Sequence, residues 1–305
     1  MGSIRSLLFM VIAVGIFQDA FCQLDPFQDD DAMITPSFQK HVIQTKKISQ
    51  ITIHYFSKPD GSPIEDGGII NQYFFDTTGK ITGSLYTTKA GSDKWDTIKC
   101  LYWYDNKGNL IIKRTQAGDF YDAWYYKWNK DPMVQTEYHV QETSEASPEE
   151  AFKMATQKVI AADSFAYIIY PKQTQQYAYN EDSKIYRKTI VQYDDNRRLI
   201  SRNTHYAVGW LYSEVDLTYD SLGRINGYVT TGNLNGNLNR KISIKYDSLG
   251  KIAAQGIWED GKQTHHIEYM YDNATGLISN KLDRDLDKAT IDILRFSYEM
   301  YGQDN

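Results

Sequence analysis

Tyr219-Asp220-Ser221-Leu222-Gly223-Arg224-Ile225 returns 27 residues later as Tyr246-Asp247-Ser248-Leu249-Gly250-Lys251-Ile252, with Lys for Arg as the only change. Looser copies stand at Phe75-Asp76-Thr77-Thr78-Gly79-Lys80-Ile81 and Tyr104-Asp105-Asn106-Lys107-Gly108-Asn109-Leu110. Tyr271-Asp272 reaches Gly276 with one residue more, while Tyr193-Asp194 and Tyr179-Asn180 put Arg197 and Ser183 where Gly belongs. The spacing has a physical reason. An Asp that opens a turn accepts a bond from the backbone N–H two residues on. The next two residues take type I angles, and Gly supplies the left-handed residue that rejoins the ladder. Asp76 with Gly79, Asp105 with Gly108, Asp220 with Gly223, Asp247 with Gly250 and Asp272 with Gly276 are therefore expected at hairpin turns. Pro59-Asp60-Gly61 and Glu259-Asp260-Gly261 fit the same scheme, and Arg197 should strain its turn or force another turn type.

The flanks alternate as strands do. Val215, Leu217 and Tyr219 oppose Glu214, Asp216 and Thr218; Ile242, Ile244 and Tyr246 oppose Lys241, Ser243 and Lys245. One apolar and one polar face mean an antiparallel sheet with a wet side. The expected fold is all-β: an antiparallel meander of hairpin repeats forming an extended or curled sheet. One helix interrupts it. Ser147-Pro148-Glu149-Glu150 reads as a capping box, and Phe152, Ala155, Val159 and Ala162 follow at helical spacing. This predicts a helix inserted near 148–163, between β segments at 36–140 and 165–305.

Residues 1–22 read as a cleaved signal peptide. Arg5 precedes the uncharged apolar run Leu7–Phe17, and Ala20 and Cys22 are small residues before a cut at Gln23. Cys22 also admits lipid anchoring, but Phe21 departs from the small residue such signals carry there. Residues 23–35, with Asp25, Asp29, Asp30 and Asp31, read as an acidic flexible leader. No later apolar run is long enough to span a bilayer, so no transmembrane segment is expected. With Cys22 removed, Cys100 has no disulfide partner. The net charge of −6, without a basic cluster, argues against nucleic acid as a partner.

The Tyr-Asp-x-x-Gly-Arg/Lys-Ile core resembles the YD repeats of Rhs proteins and teneurins, most closely over 219–252. Trp258-Glu259-Asp260-Gly261-Lys262 resembles an element of MORN-like antitoxin repeats. The resemblance implies a strand-turn-strand unit. It does not imply the toxin cage that long arrays build, because the copies are few and no toxin or cleavage motif is present.

No motif nominates catalytic residues, a metal site or a cofactor. His265 and His266 are adjacent and should face opposite ways, His265 with the core face of Ile267 and Tyr269. Asp283, Asp285 and Asp287 have a calcium-loop rhythm, but Lys288 and Leu294 replace its Gly and Glu. The aromatic stretch 102–128 is the binding candidate. Phe120, Trp124, Tyr126 and Trp128 should share one face, with Trp103 contributed by the strand before. A row of rings suits sugar stacking or a protein partner, and the alternative is packing against the helix or the other β segment, the use most large rings have. The chain therefore reads as an exported bacterial repeat protein, periplasmic, surface-associated or secreted, that binds protein or glycan. Two alternatives stay open: a carbohydrate-active enzyme with unassigned carboxylates, and an envelope carrier of an apolar ligand.

Overall fold

The computed structural model describes residues 40–89, 95–117, 120–129, 134–144, 154–234 and 238–302. The signal and leader readings fall outside these residues, as do positions 148–153 of the expected helix.

A short helix, α1 (Lys40–Lys46), leads into eighteen strands. They are β1 (Ile48–Pro59), β2 (Glu65–Phe75), β3 (Ile81–Lys89), β4 (Trp95–Tyr104), β5 (Leu110–Ala117), β6 (Phe120–Asn129), β7 (Val134–Ser144), β8 (Met154–Tyr170) and β9 (Gln173–Tyr179). The chain continues through β10 (Ile185–Tyr193), β11 (Leu199–Tyr206), β12 (Tyr212–Tyr219), β13 (Ile225–Gly232), β14 (Leu238–Tyr246), β15 (Ile252–Glu259), β16 (Lys262–Tyr271), β17 (Ile278–Asp285) and β18 (Thr290–Met300). Each strand pairs antiparallel with its neighbours in sequence, and β1 also pairs with β18 from Ile48↔Met300 to Pro59↔Thr290. The sheet is thus a closed 18-stranded barrel, not the open or curled sheet expected. Closure removes both edges and with them two rows of unpaired backbone groups.

The expected helix near 148–163 is also corrected: from Met154 the chain runs as β8. Val134 to Ser144 of β7 pair along one side of it and Gln173 to Tyr179 of β9 along the other. Met154 to Asp163 pair with β7, and a helix there would leave that ladder without a partner, a larger loss than one good N-cap can offset. Bulges at His139/Val140 and Thr143/Ser144 absorb the residues that do not fit the alternation.

The turns follow the aspartates. In the 220 turn, Gly223 N–H donates to the Asp220 carbonyl at 3.0 Å and Asp220 N–H to the Arg224 carbonyl at 2.8 Å. Asp220 Oδ1 accepts the N–H groups of Leu222 and Arg224, each at 2.9 Å, and Oδ2 accepts Arg224 Nε at 2.7 Å. Asp76, Asp105, Asp194 and Asp247 bond the backbone two and four residues on in the same way. The backbone N–H of Arg224, then its guanidinium, hold the Asp220 carboxyl below the ordinary Asp range. Gly79, Gly108, Gly223 and Gly250 all stand at positive φ. Gly79 has a second reason to be Gly: a Cβ there would lie 2.8 Å from Gln44 Cγ, where α1 seats on the turn. The Asp260–Gly261 turn differs from the scheme. Glu259 pairs directly with Lys262 and both central residues have positive φ, the two-residue I′ pattern.

Arg197 stands at φ 61° and Ser183 at φ 60°, holding the left-handed position without the freedom of Gly. Arg197→Gly should stabilise the protein by about 0.5–1 kcal/mol by relieving that strain. Matched urea titrations check this; an unchanged or lower midpoint refutes it.

The repeat residues also tie hairpin to hairpin. The Arg198 guanidinium lies 4.7 Å from the Tyr219 ring centroid, Arg224 4.1 Å from Tyr246, and the Lys251 ammonium 4.7 Å from Tyr271. Each tyrosine hydroxyl then donates to a carbonyl just past the previous turn: Tyr219 to Leu199, Tyr246 to Ile225, Tyr271 to Ile252 and Tyr298 to Ile278. The motif therefore encodes a turn and its attachment to the next turn.

Register gives the barrel two distinct walls, because directly opposed residues in an antiparallel pair share a face. Val215 opposes Arg202 and Leu217 opposes Tyr228, and following such partners around all eighteen strands returns to the same face. On this wall Val215, Leu217, Tyr228, Ile242, Ile244, Ile257 and Ile267 form a buried cluster. No second layer of described structure packs over β12–β16, so the wall that hides these residues is the inner one. A second cluster joins Ile43 of α1 to Ile48, Ile51, Ile53, Phe75 and Leu277. The outer wall of β12–β18 carries the exposed charges Asp216, Lys241, Lys245, Glu268 and Arg295.

Candidate functional site

Inner-wall character changes around the barrel. Over β12–β16 the inward side chains are aliphatic and closed off. Over β6–β8 they are aromatic and polar, and part of the surface stays open: Trp128 is 40% exposed and the Asp122 side chain 42%.

Asp122, Trp124, Tyr126 and Trp128 alternate along β6 on the inner wall. Directly beside them on β7 stand Gln141, His139, Glu137 and Gln135. On β8, Lys158, Ala161, Asp163 and Phe165 complete the four rows. The Trp124 indole stacks on the His139 imidazole, with centroids 4.4 Å apart and planes within 3°. His139 Nε2 lies 3.4 Å from Asp122 Oδ1, which fixes the imidazole in that plane. Trp128 stacks with Tyr167, centroids 6.1 Å apart. The Tyr167 hydroxyl donates to Gln135 Oε1 at 3.0 Å and accepts from Gln176 Nε2 at 2.9 Å. Each tryptophan is thus backed by a ring that is itself held by polar partners. Alternate residues of a strand lie about 6.8 Å apart, so the three rings of β6 form a row roughly 13 Å long.

Tyrosines extend the wall towards β1. Tyr102 opposes Lys113, which opposes Trp124. Tyr73 and Tyr86 meet edge to face, 5.7 Å between centroids. Burial, and then the neighbouring Tyr86 phenol, push the Tyr73 and Tyr102 hydroxyls well above the ordinary phenol range, so both stay neutral donors.

Not every residue expected at the site lies there. Trp103 is on the outer wall, where it opposes Ile112 and stacks against the Arg114 guanidinium at 5.0 Å. Phe120 is the first residue of β6, opposite Ala117, and its side chain lies outside the described part. The stretch 102–128 therefore divides between two walls. His139, Glu137, Gln135, Asp163, Tyr167 and Gln176 join Trp124, Tyr126 and Trp128 from strands the sequence reading did not connect with them. The alternation Gln135-x-Glu137-x-His139-x-Gln141 was their one local signal.

The other singled-out groups have structural places. His265 is on the inner wall, its Nδ1 2.9 Å from Asp283 Oδ1, while His266 on the outer wall meets Glu268 at 3.2 Å. Asp283 belongs to β17. Asp285 caps the next turn through the N–H groups of Asp287 and Lys288 at 3.0 Å. Cys100 is buried on the inner wall, with Sγ 3.4 Å from Thr115 Oγ1.

No family model matches the sequence, and no curated protein matches it. Among solved structures, a Photorhabdus luminescens Tc holotoxin pore is similar at 14% identity over 77% of this chain, with TM-score 0.32; this chain spans 15% of that one. A porin-like protein from Bacteroides vulgatus is similar at 12% identity over 70% of this chain and 97% of its own, TM-score 0.31. A LolA superfamily protein from Nitrosomonas europaea is similar at 8% identity over 88% and 92% of the two chains, TM-score 0.18. Overlaps this small leave function to be argued from the residues themselves.

Proposed function

We propose that this is an exported protein that acts by binding, and that its inner aromatic wall holds a polyhydroxylated ligand, a glycan. The observation that carries the reading is the accessible row Trp124, Tyr126 and Trp128, braced by His139 and Tyr167 and bordered by Asp122, Gln135 and Glu137. Flat rings offer the apolar face a sugar ring stacks on, and amide and carboxylate groups at the edge take its hydroxyls.

The outer wall supports a barrel standing in water. A membrane-spanning barrel turns an apolar band outward and polar groups inward, and a Lys or Arg at the bilayer midplane costs about 2–4 kcal/mol. Over β12–β18 this protein does the reverse, with Lys241, Lys245, Glu268 and Arg295 outside and aliphatic side chains inside. No helix among the described residues is long and apolar enough to cross a membrane. In this reading the hairpins are degenerate YD repeats, closed into a barrel instead of extended into a cage. The segment before Gln23 is a signal that directs the chain to the envelope or beyond.

Trp124→Ala and Trp128→Ala test the site. Each should weaken binding of captured oligosaccharides on a glycan array by about 2 kcal/mol, roughly thirty-fold, with an unchanged melting temperature. A large melting loss from both variants would assign the rings to packing. Unaltered binding in both would remove the wall from recognition.

A further inference from the structure

We infer that the glycan taken by this wall is acidic: some of its sugars carry an anionic substituent, a carboxylate or a sulfate. The inference rests on the glycan reading above and adds the charge of the ligand. Its basis is an asymmetry among the charged groups of the inner wall. The acids have partners within the wall: Asp122 Oδ1 meets His139 Nε2 at 3.4 Å, Glu137 Oε1 accepts Gln135 Nε2 at 3.0 Å, and Asp163 Oδ2 accepts the Tyr186 hydroxyl at 2.9 Å. The cations lack such partners. Among the described residues, no carboxylate forms an ion pair with Lys113, Lys158 or Arg187. Arg187 has one long bond, from Nη2 to Gln176 Oε1 at 3.4 Å, and its Nε is buried without an acceptor. A buried donor left unpaired weakens the fold and calls for a use.

Two of these cations stand beside rings. Lys113 directly opposes Trp124, a pairing that sets β-carbons about 4.5–5.5 Å apart. Arg187 opposes Ala178, which opposes Phe165, and Phe165 continues the row of Gln135 and Trp128. The Ala178 methyl group leaves the guanidinium room to cross. It lies 5.7 Å from the Phe165 ring centroid and so reaches along the row towards Trp128. Lys158 is exposed and opposes Gln141, in the row of Asp122. Between the two ends, beside Tyr126, lie Glu137 and Asp163. The wall therefore offers cations at its Trp124 and Trp128 ends and acceptors in the middle.

A chain of acidic and neutral sugars fits that order. An acidic sugar lays its apolar face on an indole, and its anion takes the cation of a neighbouring strand. Such a charge-assisted bond is about twice as strong as a neutral one, and the arginine fork matches a carboxylate's two oxygens. Hydroxyls of the sugar between donate to the acceptors beside Tyr126. A neutral chain uses the rings and leaves the three cations without a counter-charge. The net charge of −6 opposes an acidic ligand at long range, so a preference for acid has to come from groups at the site.

The test titrates the full chain, without its signal, with three oligosaccharides of equal length, by calorimetry. They are unsulfated chondroitin, in which every second sugar is a uronate, its neutral carboxyl methyl ester, and that ester carrying sulfate on the other sugar. The uronate, the sulfated ester or both should bind at least about ten-fold more tightly than the neutral ester, and the arm that gains names the substituent. In Lys113→Gln/Arg187→Gln that ratio should fall towards one, through weaker binding of the acidic oligomer. The melting temperature of this variant should change little, since neither side chain gives up an ion pair; if the double variant does not fold, Lys113→Gln alone is read the same way. Equal affinity of the native protein for all three oligomers, or tighter binding of the neutral ester, overturns the inference and leaves the glycan reading standing. An acid preference that survives both substitutions also overturns it, since these cations would then not be its source. Binding of none of the three sinks the glycan reading for these sugars and the inference with it.

Discussion

Glu142→Leu should destabilise the barrel by about 3–5 kcal/mol, because it takes from a buried guanidinium the carboxylate that pairs with it. Arg114 is 3% exposed and Glu142 0%, with Nε 2.6 Å from Oε2. They lie on the outer wall of β5 and β7, two strands apart. Between them, on β6, Ala123 opposes both Arg114 and Val140, and its methyl group leaves the guanidinium room to cross. Tyr125 donates its hydroxyl to the second carboxylate oxygen, and Trp103 stacks against the guanidinium. In Glu142→Leu, Arg114 loses the carboxylate; its contact at 3.4 Å to Tyr125 and its ring contact are among those that stay. At roughly 2–4 °C per kcal/mol for a chain of this size, the melting temperature should fall by about 6–20 °C. Arg114→Met/Glu142→Leu should recover most of that loss, since an apolar pair of similar volume needs no desolvation of charge. Thermal melts of the three variants decide the matter. A loss under about 1 kcal/mol for Glu142→Leu would mean that water reaches Arg114, and would place the cluster with ordinary surface pairs.

This cluster also marks where sequence reading stops. Arg114 and Glu142 are 28 residues apart, in different hairpins, and neither stands in a motif. What joins them is the register of β5, β6 and β7, set by turns on either side. The aspartate turns were readable because their chemistry is local: acceptor, donors and left-handed residue all lie within five positions. The alternation of β12, β14 and β16 was readable for the same reason. Closure was not, since the pairing of Ile51 with Tyr298 joins two ends of the chain that share no pattern. The helix expectation failed through the opposite imbalance. Ser147 to Glu150 is a sound local signal, but Met154 to Asp163 pair along β7, and that ladder outweighs a cap. The candidate wall fell between these cases. Alternation along β6 placed Trp124, Tyr126 and Trp128 together, whereas Glu137, His139 and Asp163 needed the pairing of three strands before they came beside the rings.

Tyr246→Ala is the other large loss to expect, about 3 kcal/mol, because one side chain does three things. Its ring packs against the inner cluster of Ile242, Ile244 and Ile257, it faces the Arg224 guanidinium at 4.1 Å, and its hydroxyl donates to the Ile225 carbonyl at 2.7 Å. Truncating a core aromatic side chain costs about 3–5 kcal/mol, and the half-buried position of this ring puts it at the lower end of that range. Tyr246→Phe removes the hydroxyl alone and should cost about 1 kcal/mol, the ordinary value of one such bond. Arg224→Ala in each background isolates the ring-cation part, about 0.5–1 kcal/mol, as the coupling in a double-mutant cycle. Closure makes the experiment sharper. In an open array of repeats, a weakened attachment lets units melt from the nearer end. This barrel has no end among its strands, since β18 returns to β1, so a hairpin cannot peel away without breaking ladders on both sides. Tyr246→Ala should therefore lower the whole transition while leaving it single, with circular dichroism and tyrosine fluorescence falling together. Two separated transitions, the first confined to the hairpins around Tyr246, would show that the seam between β1 and β18 does not hold the ring shut in solution.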